Sequence, residues 1–167
     1  MSGVIRILGL DPGSAATGWG VVDRDSARLS YVASGVVRPP RRESRAGRLA
    51  FIFEALQAVI AERRPDEAAI EETFVNASPR DALVLGQARG VALLAPALSN
   101  LPVAEYAANT VKKAVVGRGH AQKEQVAAMV KVLLPKCGAL ASDEADALAV
   151  AVCHAHHMDA RKLEAAS

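Results

Sequence analysis

Aromatic side chains are scarce in this chain: phenylalanine, tryptophan and tyrosine supply 4% of its 167 residues, whereas hydrophobic types together supply 51%. The core therefore has to be built from Ala, Val, Leu and Ile. Cysteine is equally sparse. Cys137 and Cys153 are isolated, with no Cys-x-x-Cys pair, and read as reduced, partly buried thiols of a cytosolic protein. A chain of this length buries roughly two thirds of its unfolded surface and needs no disulfide to hold a core. Long apolar runs are also missing. The most apolar stretch, residues 91–98, is broken by Pro96 and falls well short of the ~20 residues of a membrane helix. No cationic segment followed by an apolar one opens the sequence, so the expectation is a soluble, cytoplasmic protein with no membrane partner. Repeats, low-complexity tracts and linkers are absent as well, which predicts one domain over residues 1–159 and a flexible tail at 160–167.

Charge of either sign is nearly balanced, at a net +2. Its distribution is not even. Residues 38–64 carry seven Arg against three Glu, and residues 111–136 carry six Lys or Arg against Glu124 alone. Such segments read either as ordinary solvated helix faces or as local basic surfaces for a polyanion.

Residues 4–10 are apolar and β-branched and stop at Asp11-Pro12-Gly13-Ser14, a strong turn. Residues 18–22 and 29–37 read as further strands around a polar turn at 23–27, giving an antiparallel meander. Leu49, Ile52, Phe53, Leu56, Val59 and Ile60 recur at helical spacing, so 43–64 is an amphipathic helix. A strand at 68–74, an apolar helix at 81–98, a strand at 102–106 and helices at 110–116 and 122–134 follow. Ser142 reads as the N-cap of a last helix that runs to about Met158. This order predicts an α/β fold with a five-stranded mixed sheet flanked by helices.

Acidic residues occur where apolar patterning would not put them. Asp11 ends an otherwise buried strand, Glu71 and Glu72 lie mid-strand, and Asp143 and Asp146 share one face of the last helix. A buried carboxylate costs several kcal/mol, on the order of the unpaired-charge penalty, unless it is paired or binds a metal. Hard divalent cations take such oxygen ligands, and a pair of them suits phosphodiester hydrolysis. Each acid also has a plainer reading as a turn residue, a helix-start charge or an exposed strand position. Strand alternation allows at most one of Glu71 and Glu72 to join Asp11, and spacing does not choose between them.

Ile7-Leu8-Gly9-Leu10-Asp11-Pro12-Gly13-Ser14 with Thr17-Gly18-Trp19-Gly20 resembles the opening of the RuvC Holliday junction resolvases. The likeness continues through Ala69-Ile70-Glu71 and Phe74, Leu85-Gly86-Gln87-Ala88-Arg89-Gly90, Tyr106-Ala107, Val111-Lys112 and Val116-Gly117 with Lys123 and Val126. It closes at Asp143-Glu144-Ala145-Asp146-Ala147-Leu148-Ala149, so it spans about residues 4–158. The resemblance implies a ribonuclease-H-like fold and a homodimer that cuts four-way junction DNA with paired symmetric nicks, leaving 5′-phosphate ends, in recombination and repair. It implies that Asp11, Glu71, Asp143 and Asp146 hold two Mg²⁺ ions, with Mn²⁺ as a substitute, and so selects Glu71 over Glu72. It further implies Lys123 at the scissile phosphate, Lys112 in a similar role, Phe74 stacked on an unpaired base, and a branch-migration motor of RuvA and RuvB as partner. Arg80 is a candidate DNA contact. In the 75–80 loop, Ser78 stands where many relatives are expected to have Asn, and His120 reads as an exposed loop histidine. The apolar 81–98 helix is a candidate interface.

Two other classes compete. A small ATP-binding or phosphotransfer domain also uses an Asp near a Gly-rich hairpin, but the chain has no P-loop. A junction-binding module without chemistry would not need all of the acids.

Overall fold

The computed structural model describes residues 3–72 and 78–165, with side chains as far as Met158. Strands β1 (Ile5–Pro12), β2 (Thr17–Asp25) and β3 (Arg28–Val37) form the antiparallel meander. The expected turn at 23–27 is mostly strand, and only a tight corner with Ser26 at φ 55° separates β2 from β3. The reason is a cross-strand ion pair: the Arg6 guanidinium reaches both Asp23 carboxylate oxygens, at 2.7 and 2.9 Å, and holds the polar residues in the ladder.

Strand β4 (Glu67–Glu72) lies parallel to β1, and β5 (Val103–Ala107) lies parallel to β4, giving the order β3-β2-β1-β4-β5. Helices α1 (Arg45–Arg63) and α2 (Pro79–Leu98) pack with Leu8, Leu10, Val21, Ala68 and Ile70 on one face of the sheet. Helices α3 (Ala108–Val116), α4 (Lys123–Leu133) and α5 (Ser142–Ala165) pack with Ile7, Val22, Ala69 and Ala104 on the other. Neighbouring residues of one strand thus serve opposite cores, as pleating requires. Cys137 and Cys153 are both buried and free.

Helix α5 begins at Ser142, one residue earlier than an N-cap there would allow. Glu144 Oε2 accepts from the Ala141 N–H at 2.8 Å, so its first turn closes on Ala141. The helix also continues to Ala165 instead of stopping near Met158, through a segment without Gly or Pro. It lies directly on β1 and β2 because those strands present glycines. A Cβ at Gly9 would overlap the Ala147 carbonyl, and one at Gly18 would overlap that of Asp143.

Among the described residues α2 is the one helix long and apolar enough, by length and composition alone, to cross a membrane. Its Ala88, Ala92, Ala95 and Pro96 are buried in the domain, and its Arg89 pairs with Glu105 of β5 at 2.8 Å. Those contacts suit a helix of a globular fold. Leu83, Leu94 and Leu98 lie exposed along its outer side.

Candidate active site

The sheet register brings the acids to one end. Leu10 of β1 is level with Ile70 of β4, so the next residues, Asp11 and Glu71, lie side by side. Ile7 and Ala69 belong to the α5-side core, and by alternation Asp11 and Glu71 point to that same side. Glu72 points to the opposite face. Gly18 pairs with Asp11 and admits the backbone of Asp143 at the start of α5, with Asp146 one turn further on.

Asp11, Glu71 and Asp146 line one cavity of about 290 Å³, together with Lys112 and Lys123. Asp143 does not line this cavity, but its charge acts on Asp11, and its Oδ2 lies 3.8 Å from Arg38 Nη2. Lys123 donates to Asp146 Oδ2 at 3.1 Å. Its side chain is 72% exposed, so the pair contributes about 0–1 kcal/mol and orients the cation more than it stabilises the fold.

The acids raise one another's proton affinity. Burial, then the charges of Asp146, Glu71 and Asp143, push the Asp11 carboxyl up from 3.8 to about 7, and Lys123 opposes them. Burial and Asp146 raise Glu71 as well, against the pull of Lys112 and Lys123. The hydrogen bond to Asp146 raises Lys123. A concentration of anionic oxygen donors whose repulsion the two lysines only partly offset is the chemistry that suits a hard dication. Among the described residues, no three His, Cys, Asp or Glu side chains converge tightly enough to ligate one ion as they stand.

The remaining expected residues fall in different places. Lys112 and Lys123 border the cavity. Arg80 is exposed in the first turn of α2 and does not line it. Phe74 lies outside the described residues, as do 73–77 generally. Ser78 is the N-cap of α2: its Oγ accepts from the Asp81 N–H at 3.2 Å and donates to Asp81 Oδ2 at 2.7 Å. His120 is an exposed loop residue.

Two features escaped the sequence reading. Arg38 meets Asp143, which no local pattern signals. His154, 1% exposed, joins three elements: the Tyr106 hydroxyl lies 2.8 Å from its Nδ1, and Glu67 Oε2 lies 2.7 Å from its Nε2.

A mixed sheet in this order, with acids at the ends of two adjacent parallel strands and on the helix laid across them, defines a ribonuclease-H-like protein. Residues 7–154 match the family model of crossover junction endodeoxyribonuclease RuvC. The RuvC of Paramagnetospirillum magneticum is 60% identical over 153 residues, covering 92% of each chain. That of Methylocella silvestris is 57% identical over 159 residues, 95% of this chain and 90% of the other. Thermus thermophilus RuvC, solved in complex with Holliday junction substrate, superposes with a TM-score of 0.85 at 35% identity, covering 95% of this chain and 96% of that one. The chain belongs to the RuvC family of crossover junction endodeoxyribonucleases.

Proposed function

We propose that this chain resolves four-way DNA junctions as a homodimer, hydrolysing a phosphodiester in each of two strands to leave 5′-phosphate ends during recombination and repair. The observation that carries the reading is the convergence of Asp11, Glu71 and Asp146 on one cavity bordered by Lys112 and Lys123. The Thermus relative, solved with Holliday junction substrate, supports the choice of DNA.

Asp11, Glu71, Asp143 and Asp146 would hold two Mg²⁺ ions, or Mn²⁺ in their place. Bound there, such ions would activate water and stabilise the leaving oxygen. The chain's own groups then do the rest. Lys123, tethered to Asp146, presents a cation where charge builds on the scissile phosphate. Lys112 lies across the same cavity and serves the entering backbone. Phe74 would stack on an unpaired base and Arg80 would contact the backbone beyond it, a stack being worth about 1–3 kcal/mol per base.

The dimer reading draws on α2, where Leu83, Leu94 and Leu98 are 63%, 48% and 61% exposed. Added side chains at Gly86 and Gly90 of that helix would meet nothing within 4 Å, so the surface is open for close packing. A near-twofold junction calls for two matched sites. The cytoplasm, and a motor of RuvA and RuvB moving the branch point, complete the reading.

The test is a labelled mobile four-way junction incubated with the protein in Mg²⁺ and in EDTA. Paired, symmetric nicks in Mg²⁺ alone are expected. Binding without cleavage in either Mg²⁺ or Mn²⁺ would reduce the chain to a binding module. ATP turnover without DNA would move it to the phosphotransfer class.

A further inference from the structure

A second basic border flanks the acids on the side away from Lys112 and Lys123. Val36 of β3, Gly18 of β2 and Asp11 of β1 are level with one another across the sheet. The chain leaving β3 at Val37 therefore crosses to α1 at the same end as the acids. Its first residue, Arg38, points at Asp143, 3.8 Å away.

The connector that follows is held in place. Pro39 is buried. Arg48 of α1 reaches back, its Nη1 donating to the Pro40 carbonyl at 3.1 Å and to that of Pro39 at 3.5 Å, and its Nη2 to that of Ser14 at 3.5 Å. Ser44 caps α1 by accepting from the Gly47 N–H at 3.0 Å. Arg41, Arg42 and Arg45 are exposed on this support. None of the three forms an ion pair with any described residue, and Arg45 Nη1 donates to Gln87 Oε1 of α2 at 3.4 Å. Glu43, between Arg42 and Ser44, turns its carboxylate toward the first turn of α1 beside Gly47, where the helix dipole favours it, and three arginines outnumber it on this border.

Exposed like-charged guanidinium groups without ion-pair partners repel one another until a polyanion joins them. We infer that the Arg41–Arg42–Arg45 border is a phosphate-tracking surface for a duplex arm of the junction, opposite the lysine border of the cleft. This rests on the junction-cleaving reading. Guanidinium groups bind phosphate oxygens in bidentate fashion without reading bases, so the grip is independent of arm sequence. The arginines lie at the sheet end that carries the acids but toward the α1 face, so the arm they hold would run from the cleft past the end of β3.

The experiment measures binding of a labelled immobile four-way junction in EDTA over a range of NaCl, for the parent, Arg42→Gln and the triple variant R41Q/R42Q/R45Q. The slope of log K against log salt changes by about 0.9 for each phosphate contact to B-form DNA. The triple variant should be shallower by about 2.7 per bound protomer, and Arg42→Gln by about 0.9. The triple lysine replacement should restore the slope. A glutamine triple with the parental slope would overturn the inference, and so would an unchanged slope in the folded single variant. A parent that does not bind junctions would overturn the functional reading itself, and that result is visible before any variant is made.

Discussion

Gly18 of β2 sits directly beneath the carbonyl oxygen of Asp143, with no space for a methyl group between strand and helix. Because Gly18 also pairs with Asp11, this one contact sets the depth at which the α5 acids meet the β1 acid. Gly18→Ala should lift the first turn of α5 and cost about 1–3 kcal/mol, the usual price of overpacking. Urea unfolding would report that loss. Cleavage should fall further than the loss of folded protein explains. Parental stability and parental cleavage together would show that the contact is not tight.

Asp11 holds a proton in the folded chain up to about pH 7, whereas its ordinary value is 3.8. Between those limits the folded state binds more protons than the unfolded one, so stability falls as pH rises from about 4 to about 7 and stays low above that. Asp11→Asn removes the penalty. In EDTA at pH 8 the variant should melt roughly 4–8 °C above the parent, a gain of about 2 kcal/mol in a domain of this size, and the gap should close near pH 4. Mg²⁺ should raise the melting point of the parent more than that of the variant. The variant should bind junctions and not cut them. Equal melting at pH 8 would mean that Asp11 carries no burial penalty.

Lys123 is expected to matter in the reaction more than in binding. Lys123→Gln should slow single-turnover cleavage by about 10²-fold, as the loss of one charge-stabilising donor does. Its salt slope for junction binding should change by no more than about one contact. A variant that cuts at the parental rate would leave Lys123 as a solvated partner of Asp146.

His154 ties α5 to β4 through Glu67 and to β5 through Tyr106. His154→Phe puts a somewhat larger apolar ring in the same place and removes both hydrogen bonds, at a cost of about 1–3 kcal/mol for the partners left behind. Chemical denaturation measures this. A neutral result would show that water replaces the histidine on both sides.

The sheet, its flanking helices and the positions of Asp11, Asp143 and Asp146 were legible because each rests on a local pattern: an apolar run ending at a turn, or acids three apart on a helix. The choice between Glu71 and Glu72 was not, since it depends on the register of β4 against β1, a long-range pairing. It came from the resemblance instead, and the register leaves Glu71 beside Asp11. Arg38 was invisible for the same reason, because its approach to Asp143 follows from where β3 ends relative to β2. His154 was hidden in an apolar helix face, and its partners lie 48 and 87 residues away in sequence. The strand boundaries at 23–27 moved because the Arg6–Asp23 pair overrides local polarity.

At the end of the sheet away from the acids, the Arg6 guanidinium binds Asp23 and donates to the Arg63 carbonyl, while the Arg6 backbone N–H donates to Asp66 Oδ2, knitting β1, β2 and the end of α1 together. Exposed Ala27 caps the adjoining hairpin, roughly 25–30 Å from Gly18 at about 3.3 Å per strand residue. Both native thiols are buried, and burial pushes that of Cys153 up to about 12. An introduced Ala27→Cys would therefore be the one readily labelled sulfur on the described surface. It offers a rigid anchor for a fluorophore or a tether from which single junctions could be watched as they are cut, with the dye held clear of the DNA.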